Sequence, residues 1–439
     1  MNDSRRDRVL RKISAVIVWS TFRRVDVFHA GSATSNPGPL MSTCNHFGGF
    51  LDPLLTMYAL PRRPRFIARD VIWRIPIARS LMRWMGAIPV HKADDKGAGN
   101  NVQMFGSCYE ALGRGEHILI FPEGITRDEP SIGRFKTGTA RIVLGAREAG
   151  VQGISLVPVG IHYEDKAALR SRVSVVVAEA LDLDEEVARY IRGADGGASP
   201  DNREAVRGLT SVLDRRLREA APDFESWRDA MALTEAAEIT LRAISEPGQA
   251  VSLSERDRLA GVLAGCPTND RSAIVASVTA YARGLDSQAV SDADMATSDG
   301  DTPRWGTLGR IALGLLLLPY AIAGFLLNLI PFLIVKAVGA FRMAPAAMAS
   351  LKPIVAILVF GATWALAAWA VLQQFGWIWA AASLLVMPLY GIATVMLWER
   401  VVLGLRASRV SRARGIGGSA RGVLRHDRRA LVMLVVEST

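Results

Sequence analysis

Apolar positions in the first part of the chain follow two alternating periods. The runs Val25–Phe28, Leu40–Cys44, Arg65–Ile67, Ala87–Val90, Ile118–Phe121, Leu156–Val159 and Val173–Val177 are short and mostly apolar. Between them, apolar residues recur at three- and four-residue spacing, as in Val102–Leu112 and Gly138–Glu148. This alternation predicts an α/β domain over residues 25–183, with helices flanking a central, largely buried mixed sheet. Ahead of it, Val9, Leu10, Ile13, Val16 and Ile17 sit beside Arg5, Arg8, Arg11 and Lys12. That spacing predicts an amphipathic helix within residues 1–24, which either packs on the core or lies on a membrane surface. Residues 184–284 read as helices with charged faces, and 285–304, rich in Asp, Ser and Ala, read as a linker.

The pattern changes after Trp305. Over residues 305–399 three apolar blocks follow: 311–335, which holds Pro319, Asn328 and Pro331, then 353–372 and 377–398. The last two are each long enough to span a bilayer, and the turn between them carries no charge. Lys336, Arg342 and Lys352 precede this pair, and Arg400, Arg406, Arg409, Arg412 and Arg414 follow it in the basic tail 400–439. By the positive-inside rule both ends of the pair are cytoplasmic. The first block is either one crossing or a shallow hairpin. The hairpin is the favoured reading, and it leaves the α/β domain in the cytoplasm of a multi-pass protein of the cell (inner) membrane.

Charge and cysteine content narrow the partners. The net charge of +10 is concentrated next to apolar segments, which points to a lipid bilayer with anionic headgroups. No zinc spacing, ribonucleoprotein motif or basic recognition helix is present, so nucleic acid is not expected. The three cysteines, Cys44, Cys108 and Cys266, form neither a metal pattern nor a disulfide framework.

The candidate chemistry begins at "CNHFGGFLDPLL", residues 44–55. Six residues along a regular helix amount to roughly 600°, so His46 and Asp52 would point about 120° apart. Their side chains meet only if the backbone between them is not helical, a freedom that Gly48 and Gly49 supply. A histidine held by a carboxylate is an oriented general base. The alternative is that Asp52, followed by Pro53, simply caps a helix. Further along, "MGAIPVHK", "LIFPEGITRDEP", "FKTGTARIVLGA" and "LVPVGIHYED" bring His91, Lys92, Arg127, Lys136 and His162 to strand ends or a helix start. Cationic groups at successive strand ends, in a chain with a His–Asp pair, point to an anionic substrate that carries a hydroxyl.

These motifs, in this order, resemble those of the glycerolipid acyltransferases, which include the glycerol-3-phosphate and lysophosphatidate acyltransferases. Asn45-His46 with Asp52 is similar to the first motif, Gly86-Ala87-Ile88-Pro89-Val90 to the second, Phe121-Pro122-Glu123-Gly124 to the third and Val157-Pro158-Val159-Gly160 to the fourth. Two departures stand out. Five residues separate His46 from Asp52 where the family usually has four, as in a branch that includes fungal enzymes acylating glycerol-3-phosphate or dihydroxyacetone phosphate. Lys92 and Thr126 stand where phosphate-contacting arginines are usual, with Arg127 one residue on. The resemblance implies acyl transfer from acyl-CoA or acyl carrier protein to a phosphorylated glycerol-type acceptor. It implies His46 and Asp52 as the catalytic pair, Asn45, Lys92, Glu123, Gly124, Arg127 and Lys136 as substrate-binding residues, and no metal or cofactor beyond the thioester co-substrate.

Overall fold

The computed structural model describes residues 4–31, 38–74, 76–90, 101–190, 197–245, 249–298, 304–341 and 343–439. His91 and Lys92 lie outside these residues, as does Arg342. The chain divides into two compact units, Met1–Ala230 with Ser252–Gly265, and Met231–Val251 with Cys266–Thr439. The segment expected to be one helical block, 184–284, is thus shared between them.

The first unit is built on an eight-stranded mixed sheet: β1 (Phe22–His29), β2 (Leu40–Cys44), β3 (Arg65–Arg69), β4 (Ile88–Val90), β5 (His117–Ile120), β6 (Ser155–Tyr163), β7 (Ser171–Val177) and β8 (Leu181–Asp182). Their order is β1-β7-β6-β2-β5-β3-β4, with β8 also paired to β6. β2 lies between β5 and β6, parallel to both, and every one of its residues is buried. The antiparallel pairs are β6 with β7 and with β8. From β2 the chain crosses past β5 to reach β3, whereas from β5 it crosses back past β2 to β6. Connections that leave in opposite directions open a crevice at the carboxyl ends of these strands, where α/β proteins bind ligands.

Both faces of the sheet are covered. On one, α1 (Arg5–Thr21) and α2 (Leu51–Ala59) pack through Leu10, Val18, Leu51, Leu54 and Leu55. On the other lie the helices Asn101–Gly113, Gly138–Glu148 and Arg203–Ala220, through Cys108, Leu112, Val143, Leu209 and Leu213. α1 packs on the core as one of the two readings expected, and it leaves Val9, Ile13, Val16 and Trp19 exposed. The helix Leu253–Ala264 also belongs to this unit. Its Asp257 is buried, accepts the Ser174 hydroxyl of β7 and lies 2.9 Å from His162 Nδ1 of β6.

A buried histidine gives this unit a pH dependence. His117 opens β5 with its ring enclosed between Ser42 Oγ (2.8 Å) and the Arg62 carbonyl (3.0 Å). Burial drives its pKa from 6.5 down to about 3. Between those values the unfolded chain binds a proton that the folded chain refuses, so stability falls as pH falls, by about 1.4 kcal/mol per pH unit at most. In urea titrations from pH 7 to pH 4, His117→Gln should flatten this fall. An unchanged slope would remove His117 as its source.

In the second unit, the helices Pro345–Phe375 and Trp377–Glu399 are long and apolar enough to cross a membrane. Gly376 joins them into an antiparallel pair. The first apolar block forms two helices, Ala312–Leu327 and Leu329–Val338, bent by 66°. Thr394 Oγ1 donates to the Ala321 carbonyl, and the Tyr320 and Tyr390 rings lie 6.0 Å apart, so the first of these helices packs against Trp377–Glu399. Beyond the bend, Phe332 meets Phe360 at 5.3 Å and Gly339 lies beside Lys352, so the second runs back along Pro345–Phe375. At the break, buried Asn328 donates to the Gly324 carbonyl (2.9 Å) and accepts Trp364 Nε1 (2.8 Å), which satisfies its amide in an apolar setting.

Two stretches differ from expectation. The expected linker 285–304 contains the helix Asp292–Ser298, and buried Asp292 accepts Tyr281 Oη (2.8 Å), Arg242 (2.5 Å) and Arg428 (2.7 Å). An Asp-rich composition reads as solvated until its arginine partners are known. The basic tail is helical too, through Gly418–Glu437, whose Leu424, Leu431 and Val435 are buried.

Candidate active site

The site grows from the end of β2. Asn45, the first residue past the strand, is fully buried, and its side chain continues the sheet: Nδ2 donates to the Ile161 carbonyl and Oδ1 accepts the Ile161 amide, both at 2.8 Å. Asn45 therefore stands behind the site and fastens β2 to β6. This corrects its expected place among substrate-contacting residues.

His46 follows. Its Nδ1 lies 2.7 Å from Asp52 Oδ2, and the carboxylate is fully buried. Its ring stacks on Phe121 at 4.2 Å. Nδ1 is thus held by the carboxylate, and Nε2 has no hydrogen-bond partner among the described residues. Asp52 sits in the first turn of α2, and Phe50, not Asp52, occupies the cap position. Its carboxylate turns back to accept the Gly48 amide (2.9 and 3.1 Å to its two oxygens) along with the histidine. The helix-cap alternative is thereby replaced by a His–carboxylate pair across a glycine turn. Gly49 adopts φ +59°, which a residue with a Cβ rarely takes.

Glu123 belongs to the turn after β5 and is buried. Oε1 accepts the His46 amide (3.0 Å) and Oε2 the Gly133 amide (2.8 Å). Burial raises its pKa, against the opposing pull of these amides and of Arg127 and His46. Expected to bind substrate, Glu123 instead has both oxygens on the backbone and locks the His46 turn to a second loop. Arg127 supports the same turn: its amide donates to the His46 carbonyl (3.1 Å), and its guanidinium pairs with Glu129 (2.6 Å). Gly124, at φ +70°, leaves room for Lys136, whose Nζ lies 2.4 Å from where a Cβ on Gly124 would stand. The Lys136 side chain is exposed and makes no ion pair among the described residues.

Three contributors were not foreseen. Tyr163 of β6 donates its hydroxyl to Asp52 Oδ1 from a buried position. Lys166 binds Asp128 and the Arg127 carbonyl, each at 2.8 Å, and lies 5.9 Å from the centre of the Phe47 ring. Cys44, two residues before the base, is fully buried, and burial with nearby Asp52 and Glu123 pushes its thiol well above the ordinary range. It stays protonated and inert. Their positions in "CNHFGG" and "GIHYEDK" offered a signal only for Tyr163, which follows the fourth motif.

The acyltransferase family model matches residues 26–162. A chloroplastic 1-acyl-sn-glycerol-3-phosphate acyltransferase of Arabidopsis thaliana is 27% identical over 150 residues, 34% of this chain and 39% of that protein. A counterpart from Brassica napus is 28% identical over 160 residues, 35% of this chain and 43% of its own length. Glycerol-3-phosphate O-acyltransferase 2 of Saccharomyces cerevisiae is 30% identical over 131 residues, 29% of this chain and 17% of that protein. The chain thus spans well under half the length of these relatives. The crystal structure of the 1-acyl-sn-glycerophosphate acyltransferase PlsC of Thermotoga maritima aligns with a TM-score of 0.34 at 19% identity, over 48% of this chain and 78% of that one. Residues 26–162, which carry the four motifs in order and the formed His–Asp pair, match the acyltransferase family model.

Proposed function

We propose that this protein is a membrane-bound glycerolipid acyltransferase that moves a fatty acyl group from acyl-CoA or acyl carrier protein to a hydroxyl of glycerol-3-phosphate or dihydroxyacetone phosphate. The observation that carries this reading is His46, oriented through Nδ1 by a buried carboxylate with Nε2 left for a reactant. Nε2 takes the acceptor's hydroxyl proton as its oxygen attacks the thioester carbonyl. The tetrahedral intermediate expels thiolate, which recovers the proton from Nε2, so ester and free thiol are the products. Asp52 holds the tautomer and stabilises the transient imidazolium, with the acceptor hydroxyl in the place that a serine takes in a hydrolase triad. Lys136 is the cation we assign to the acceptor's phosphate, as a point charge without the fork of an arginine.

The five-residue spacing between His46 and Asp52 supports the small phosphorylated acceptor, as does the likeness to the yeast enzyme. A second reading, acylation of lysophosphatidate, is favoured by the likeness to the two chloroplast enzymes. The bent helix pair 312–338 finishes beside the Lys352 end of the span Pro345–Phe375. We read it as re-entrant, with the basic flanks and the amino-terminal unit on the cytoplasmic side of the cell membrane, next to anionic headgroups.

The test is an acceptor panel. Purified protein in phospholipid vesicles receives labelled acyl-CoA or acyl carrier protein with glycerol-3-phosphate, dihydroxyacetone phosphate or lysophosphatidate. Transfer to either of the first two is expected. Transfer to lysophosphatidate alone selects the second reading, and folded protein that acylates none of them overturns both.

A further inference from the structure

Asp52 is a fully buried carboxylate whose resolved donors are the His46 ring, the Gly48 amide and the Tyr163 hydroxyl. None of these carries a permanent positive charge. A carboxylate buried in that setting is satisfied, and kept pointed at its histidine, by the donors around it. Tyr163 reaches it from β6, 111 residues away in sequence, and binds Oδ1 while Oδ2 faces His46. Burial and the Asp52 charge raise the phenol's pKa well above its ordinary value, so it remains a donor throughout the working range.

The turn is shaped around this hydroxyl. A Cβ on Gly48 would stand 2.1 Å from Tyr163 Oη and 2.7 Å from Asp52 Oδ1, closer than any real contact. Gly48 is therefore glycine because Tyr163 and Asp52 meet there, and Gly49 supplies the left-handed turn beside it. The two glycines do separate work.

We propose that Tyr163 is a positioning residue of the reaction, which holds the Asp52 carboxylate aimed at His46, and that Gly48 is the vacancy its hydroxyl requires. The proposal rests on the assignment of His46 as base. Donation to Oδ1 fixes the rotation of the Asp52 carboxylate, so its loss frees Oδ2 to turn away from His46 Nδ1. The other titratable groups around the pair are Cys44 at the end of β2, which is neutral, and Glu123 after β5, with Arg127 at 3.9 Å from it. None of these changes when Tyr163 becomes phenylalanine.

The experiment compares wild type, Tyr163→Phe, Gly48→Ala and the double variant in the acyl-transfer assay, with thermal melts of each. Tyr163→Phe should lower kcat ~10-fold or more with little change in KM for the acceptor, the loss of one hydrogen bond to a charged group. A side chain of purely packing value would lower the melt and leave the kcat of the folded protein unchanged. Gly48→Ala should itself impair transfer, and in the double variant the two losses should combine to less than their product, because both break the same contact. An unchanged kcat for Tyr163→Phe, or fully multiplicative losses, overturns the proposal. Failure of the base assignment is separately visible, since wild type and His46→Ala would then transfer equally well.

Discussion

His46→Ala should leave a folded, vesicle-bound protein whose kcat for acyl transfer falls by a factor of about 10²–10⁴, the usual contribution of a positioned general base. The His46 ring is partly exposed, and its resolved contacts are the Asp52 carboxylate and a stack on Phe121. The backbone contacts that fix the turn, from His46 N to Glu123 and from Arg127 N to His46 O, survive the substitution. Removing the ring leaves Asp52 with Gly48 and Tyr163 as donors, so the melt should shift by only a few degrees. The thiol released per turnover and the labelled ester should fall together. Undiminished transfer, or a collapse of the melt in step with the activity, would contradict His46 as the base.

The second large effect is expected at Glu123. Its two oxygens satisfy two amides from separate loops, and it is almost wholly enclosed. Glu123→Gln keeps the shape but turns an NH₂ group toward one of those amides. A buried donor left unpaired costs about 1–3 kcal/mol, and the new donor–donor contact adds to that. Because one of the amides is that of His46, the base should shift with the loop. Displacement of about 1 Å in a reacting group can cost ~10²-fold. Glu123→Gln should therefore lower both the melting temperature and kcat substantially, whereas His46→Ala lowers kcat and leaves the melt within a few degrees. A variant that melts like wild type and loses only acceptor affinity would instead return Glu123 to the substrate.

Much of the frame can be read from local pattern. β2 and the helix Gly138–Glu148 fall at the residues expected, because a buried parallel strand and an amphipathic helix each announce themselves within a few residues. The meeting of His46 and Asp52 was also legible, since the glycines lie between them. What escaped depends on partners remote in sequence. Nothing near Asn45 says that its amide will serve the Ile161 backbone, and nothing near Glu123 says that its oxygens will face His46 and Gly133. Both read as substrate contacts because polar residues in motifs are read outward, and both point inward. The helix Asp292–Ser298 was missed for the same reason, as its buried aspartate depends on arginines 50 and 136 residues away. Tyr163 lies beside a recognised motif, yet only the folded sheet brings it to Asp52.

The central claim is that His46 deprotonates an acceptor hydroxyl for direct transfer. The most direct measurement follows a labelled acyl thioester with glycerol-3-phosphate and vesicle-bound protein, and divides the label among acylated acceptor, free fatty acid and protein. Label should pass to the acceptor in the wild type, with none retained on the protein, and should remain on the thioester with His46→Ala. Label that goes to water or to the protein instead, or that reaches the acceptor equally well without His46, would contradict it.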